Sequence, residues 1–216
     1  AIVSNPPYSK SWEGKNNTIL INDVRYSPAG VLAPIQRSDL AFTMHMLYHL
    51  SETGTCAIVE FPGVLYRGGA EKKIREYLIK NNFVDTVIQL PANLFFGVGI
   101  ATCIIVIKKN KKDNNILFVD ASEECEKKGD KNKLEDENQN RIVNAYQERK
   151  EEQYFTKLVS NDEVLSNGAN LSVSSYVEKE DKREVIDIVA LNEEIEALSK
   201  DVASKSLKLN EIIKEL

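Results

Sequence analysis

Cysteine is scarce: Cys56, Cys103 and Cys125 are the only three, far apart and in no CxxC pair. An odd count without metal-ligand spacing excludes a disulfide or zinc framework and reads as the reduced thiols of a cytoplasmic protein. Long apolar runs are missing too. The longest, Ile100 to Ile107 interrupted by Thr102, is too short to span a bilayer, so no membrane role is expected. No signal-peptide pattern opens the chain. The two histidines, His45 and His49, are spaced i, i+4 but lack a third ligand or an HExxH pattern, so no metal is expected. Basic excess is absent, with a net charge of −5. A protein that grips nucleic acid unaided usually carries a basic face, so a local patch or a partner must supply that grip. An initiator Met is lacking as well: the chain begins Ala1-Ile2-Val3, already strand-like, and reads as a piece of a longer protein.

What is present is a core-forming composition, 42% hydrophobic and 28% charged over 216 residues. The charge is uneven. Residues 1–120 hold 13 Lys+Arg against 10 Asp+Glu, and residues 121–216 hold 15 against 23, a split of +3 and −8. The first part alternates helical and strand patterns. Ser38–Leu50 is predicted as a helix with Ser38 as N-cap, and Ala70–Asn81 as a second. Cys56–Phe61, Phe83–Leu90, Ile100–Ile107 and Ile116–Asp120 are predicted strands. The fold class is therefore α/β, and the close spacing of the last strands points to an antiparallel edge. Further on, Ser122–Glu137 reads as a charged surface loop, Asn138–Lys150 as a short helix, Ser160–Ser166 as a helical turn and Leu171–Val177 as extended.

The C-terminal segment has a stepped period: Ile188, Leu191, Ile195, Leu198, Val202, Lys205, Leu209, Ile212 and Leu216. Only Lys205 breaks the apolar seam. So narrow a stripe suits a helix pairing with another chain better than a broad globular face. The basic run Lys108–Lys112 reads as a solvated loop, with contact to a nucleic-acid backbone as the alternative.

Asn5-Pro6-Pro7-Tyr8 carries chemistry. It follows a strand end, where α/β folds place their sites. Two prolines in series fix the backbone and remove two N–H donors. The Asn5 side-chain carbonyl and the Pro6 carbonyl can then converge on an –NH2 group, with Tyr8 as a flat face for a ring. An exocyclic amine on an aromatic ring is a poor nucleophile because its lone pair is delocalised. Two acceptors on its N–H bonds favour pyramidal geometry and stabilise the positive charge that grows as the nitrogen attacks an electrophilic methyl group.

This tetrapeptide resembles the catalytic motif of S-adenosylmethionine-dependent amino methyltransferases, chiefly those acting on adenine N6 in DNA. It also occurs in glutamine and RNA methyltransferases. Asp39-Leu40-Ala41-Phe42, Gly63-Val64-Leu65-Tyr66-Arg67-Gly68-Gly69-Ala70-Glu71, and the segment from Leu90 through Asn93 to Ile100 are similar to the methylase subunits of type I restriction-modification systems. Phe118–Ser122 and Asn170–Val177 match as well. Glu60-Phe61-Pro62 stands where Leu-Pro-Asn is usual. The resemblance implies the C-terminal half of a Rossmann-like methyltransferase sheet with a helical tail. Its parts would be a partial catalytic core at 1–121, a charged extension at 122–182 and an association helix at 183–216. It implies that Asn5 and Pro6 accept from the adenine amine, that Tyr8 stacks on the flipped base beside Pro7, and that Phe95 or Phe96 closes the other face. Asn5 and Asp39 are candidate cofactor contacts. The implied cofactor is S-adenosylmethionine, whose Gly-rich loop is not in this stretch, so the chain alone is expected to be inactive. The implied partners are double-stranded DNA, a specificity subunit, a second methylase subunit and a restriction subunit. A non-catalytic assembly module is the rival class.

Overall fold

β-Branched runs pair into one six-stranded sheet in the computed structural model, which describes residues 1–180 and 187–215. In chain order the elements are β1 (Ile2–Ser4), α1 (Thr18–Ile21), α2 (Asp39–His49), β2 (Thr55–Glu60), α3 (Ala70–Lys80), β3 (Val84–Gln89), β4 (Cys103–Lys108) and β5 (Asn115–Asp120). Then follow β6 (Glu126–Lys128), β7 (Lys131–Lys133), α4 (Asp136–Glu148), β8 (Thr156–Ser160), α5 (Asn161–Ser166) and α6 (Ile188–Glu215). The sheet order is β1-β2-β4-β3-β5-β8. β1, β2, β3 and β5 run one way; β4 and β8 run against them.

Strand alternation sends successive side chains to opposite faces, and each face has its own core. In β5, Ile116 and Phe118 join one core, where Leu40, Met44 and Leu47 of α2 and Ile74 and Leu78 of α3 cover the sheet. Leu117 and Val119 point the other way, to the core shared with Ile142 of α4 and Phe155. β2 is buried only at alternate positions, Cys56, Ile58 and Glu60. Val3, on β1 beside it, is 84% exposed.

Arg75 ties the α3 layer together. It is 1% exposed; its Nε donates to the Ala169 carbonyl at 2.7 Å and its Nη1 to the Val64 carbonyl at 2.9 Å. Burial lowers its pKa to about 10. Arg75→Met leaves two buried carbonyls without donors. It should cost about 2–4 kcal/mol in urea unfolding, against near zero for Lys73→Met on the exposed face.

Several expectations change. Ser38 precedes α2 but does not cap it; its Oγ donates to the Lys10 carbonyl at 2.8 Å. β4, an antiparallel strand, lies inside the sheet between β2 and β3 and not at its edge. The sheet does have an antiparallel edge, but it is β8, a strand that sequence reading missed; β1 is the other edge. Residues 122–137 are no simple loop: they contain the β6–β7 hairpin. Leu171–Val177 is not extended, since Val173–Ser175 turns as a 3-10 helix.

The described residues divide into two units, Ala1–Lys179 and Glu180–Leu216. The second is α6, on which Ile195 is 51% and Leu198 58% exposed. Lys205, the polar step in the seam, turns its Nζ to Asp201 at 2.7 Å. Leu216, the last step, lies outside the described residues. No helix among the described residues is long and apolar enough to cross a membrane.

Candidate active site

β1 delivers Asn-Pro-Pro-Tyr to the end of the sheet where β2 also finishes. The two strands are parallel with Ser4, the last residue of β1, level with Ile58, and β2 ends two residues further on at Glu60. Asn5 and Pro7 are exposed, Pro6 is buried and Tyr8 is half-buried. Tyr8 Oη donates to Asn5 Oδ1 at 2.8 Å. An amide oxygen has two lone pairs, so this bond orients the acceptor and leaves it room for another donor. Ser9, directly after the motif, has a φ of 49°. Its N–H is held by Asp39 Oδ1 at 2.7 Å, at the start of α2. Asp39 is 1% exposed. Its placement makes it a clamp on the motif's exit.

Beneath the motif lies a buried acid. Glu60 ends β2 at 0% exposure. Its Oε1 accepts from Thr43 Oγ1 of α2 at 2.8 Å. Its Oε2 and Asp39 Oδ2 have no hydrogen-bond partner among the described residues. Burial raises the Glu60 pKa to about 8, with the charges of Asp39 and Glu71 adding to the rise. Glu71 is offset by Arg37 at 3.2 Å and Arg67 at 3.7 Å. Cys103 Sγ donates to the Glu60 carbonyl at 3.4 Å. Burial, with Glu60 and Cys103 nearby, raises the Tyr8 pKa, so the phenol stays a donor.

The two candidate aromatics of the β3–β4 loop separate. Phe95 packs against the second core beside Leu94. Phe96 is 99% exposed. This loop leaves the end of β3 on the same side of the sheet as the motif, because β3 runs parallel to β2 in direction through their shared antiparallel neighbour β4. β1 and β3 stand three places apart, or about 14 Å at the usual strand spacing.

With this geometry in hand, comparison with known proteins decides the family. A model described as N-6 DNA methylase matches residues 1–185. The chain belongs to the N-6 DNA methylase family. The type I restriction enzyme MpnII methylase subunit of Mycoplasma pneumoniae is 44% identical over 216 residues, covering 100% of this chain and 40% of that relative. The MjaVII methylase subunit of Methanocaldococcus jannaschii is 33% identical over 210 residues, 92% of this chain and 36% of the relative. The crystal structure of a type I restriction-modification methyltransferase subunit from Streptococcus thermophilus superposes with a TM-score of 0.79 at 41% identity, covering 82% of this chain and 37% of that one. The chain thus spans about two fifths of the length of the relatives it matches.

Gly97-Val98-Gly99 leads into strand β4 and not into a helix. Of the acidic residues that end strands, Glu60 is buried, and Asp120 Oδ1 accepts from the Ser122 N–H at 3.0 Å. Of the two candidate cofactor contacts, Asn5 is exposed, and Asp39 is buried with Oδ1 on the Ser9 N–H and Oδ2 without a hydrogen-bond partner among the described residues.

The basic run of the methylase is also reassigned. β2 begins at Thr55 opposite Lys108 and ends at Glu60 opposite Cys103, so residues 108–112 lie at the end of the sheet away from the motif. Lys108 pairs with Asp85 at 3.2 Å and Lys109 with Glu52 at 3.5 Å. Lys111 Nζ donates to the carbonyls of Val84 and Asn115 at 2.7 and 2.8 Å. Lys108, Lys109 and Lys111 close the far end of the sheet, and Lys112 is exposed there. His45 and His49 stack edge to face with centroids 4.6 Å apart, and Tyr26 lies over His45. Among the described residues no group of three His, Cys, Asp or Glu could hold a metal.

Sequence reading missed Glu60 as a site residue, noting it only as a departure. The signal was available: period-two burial in β2 puts residue 60 on the face of Cys56 and Ile58.

Proposed function

We propose that this chain is the acceptor-side part of a type I restriction-modification methylase subunit, which transfers a methyl group to N6 of adenine in double-stranded DNA. The observation that carries the reading is the Asn5–Tyr8 arrangement at the end of β1, with Oδ1 oriented by Tyr8 Oη at 2.8 Å and the exit fixed by Asp39. The methyl group comes from S-adenosylmethionine, held by the length of the relatives that this chain does not span. Asn5 Oδ1 and the Pro6 carbonyl accept the two amine hydrogens. As the N–C bond forms and the donor's S–methyl bond breaks, its electron pair would stay on sulfur and the thioether would leave; nitrogen charge rises and both acceptors strengthen, which is differential stabilisation of the transition state. The proton left on nitrogen departs to water. Tyr8 and Phe96 supply the two ring faces that offset the cost of unstacking the base. With full-length protein, specificity subunit and labelled cofactor, methyl transfer should go to duplex DNA and not to a glutamine peptide or an RNA. Transfer to either of the latter alone overturns the reading.

The regular seam on α6 supports association with the specificity subunit, which reads the DNA and supplies the missing basic grip. The assembled enzyme includes a second methylase subunit and, for cleavage, a restriction subunit. Leu198→Asp places a carboxylate in that dry seam at several kcal/mol, so co-purification with the specificity subunit should fall at least about tenfold. Lys200→Asp, off the seam, should leave it intact. Equal retention of both variants rejects the helix as the contact.

A further inference from the structure

Phe96 poses a mechanical problem: a ring that is 99% exposed gains no orientation from its own packing. Its loop is instead held from outside. The Asn132 N–H donates to the Asn93 carbonyl at 3.2 Å and its Nδ2 to the Ala92 carbonyl at 2.9 Å. Lys131 Nζ donates to the Phe95 carbonyl at 3.3 Å. Carbonyls on both sides of the turn at Asn93, whose φ is 55°, are therefore capped by one short strand.

That strand, β7, belongs to a hairpin of two three-residue strands, which is too short to be stable alone. It is bolted to α4 at both ends. Before β6, Glu124 takes Arg141 at 2.7 Å. After β7, Glu135 pairs with Lys133 at 3.0 Å and with Lys128, and its N–H donates to Asn138 Oδ1 at 2.9 Å in a capping box. α4 in turn packs on the sheet through Ile142. A continuous support thus runs from sheet to α4 to hairpin to loop.

We propose that the β6–β7 hairpin is a strut that aims Phe96 at the extrahelical base, with Asn132 as the positioning residue; this rests on the reading of Phe96 as one stacking face of a DNA methylase. Lys128 and Lys133 pair with Glu135 and Lys131 with the Phe95 carbonyl, which leaves Lys127 of β6 outside these pairs as the exposed lysine of the hairpin. Its polar groups serve the loop.

The test is a double-mutant cycle in the full-length enzyme with its specificity subunit, on duplex DNA carrying 2-aminopurine at the target position for the flipping signal and adenine for rates. Asn132→Asp keeps the side chain's size and backbone bond but replaces the donor to Ala92 with a carboxylate. Methylation at limiting DNA should fall about tenfold to a hundredfold, the scale of a small misplacement, with weaker flipping fluorescence and an unchanged KM for the cofactor. In a Phe96→Ala background the same change should have no further effect. Equal loss in both backgrounds assigns Asn132 a general structural role and overturns the strut. So does a Phe96→Ala enzyme with full activity, which has nothing to aim. A wild-type complex that methylates no duplex at all refutes the underlying reading, and the strut loses its object with it.

Discussion

Asn5→Ala in the full-length protein lowers methylation of duplex DNA by at least about 10²–10³ while the complex with the specificity subunit still assembles. The factor is the scale measured when one preoriented polar group aimed at developing charge is removed from an active site. The geometry argues that the loss is chemical. Asn5 is exposed, so truncating it opens no cavity and the thermal midpoint should stay with the parent. Its Oδ1 is fixed by Tyr8 Oη at 2.8 Å, so the acceptor is oriented before any substrate arrives. Because the bond to the amine strengthens as nitrogen gains charge, kcat should carry the loss and KM for DNA should change little. A variant that assembles and methylates normally would show that the motif is a turn and the chain a scaffold. A variant that no longer assembles would place Asn5 in the packing.

The motif and most of the elements were legible in the sequence because each rests on a local pattern. Asn5-Pro6-Pro7-Tyr8 is contiguous, and the helices at Asp39–His49 and Ala70–Lys80 follow the 3.6 period. What was not legible depends on pairing across distance. β8 is polar enough to pass for the approach to α5, and only its partner β5 makes it a strand. The β6–β7 hairpin has no apolar alternation at all; its ties to α4 and to the β3–β4 loop hold it. Phe95 and Phe96 are neighbours with the same side chain, and only the second core separates a packed ring from a free one. The lysines at 108–112 looked available because sequence does not show which end of a sheet a turn occupies. Glu60 is the sharpest case. Its place at the end of an apolar strand marked it as odd, but its consequence follows from three other elements that surround it.

That consequence is a pH dependence with a definite sign. Unfolded, Glu60 releases its proton near the ordinary 4.5; folded, it holds it until about 8. Between those values the folded state binds the extra proton, so stability falls as pH rises. The penalty is absent below about 4.5 and complete above about 8. Burial and the acids Asp39 and Glu71 hold the proton on, Tyr8 and Cys103 are held neutral, and the Thr43 hydroxyl and the Phe61 N–H work the other way without outweighing the burial. The arginines that offset Glu71 do not hydrogen-bond Glu60. Glu60→Gln copies the protonated acid: its Oε1 still accepts from Thr43 and it has no proton to lose. The variant and the parent should unfold alike at pH 4.5 and diverge steadily, with Gln ahead by on the order of 3 kcal/mol at pH 8.5 in urea titrations. Glu60→Leu, the residue type that the family resemblance leads one to expect there, also removes the slope, but it orphans the Thr43 hydroxyl and gains less. Parallel curves for parent and Gln variant across this range would mean that Glu60 ionises freely in the folded protein, and the buried acid beneath the motif would have to be abandoned.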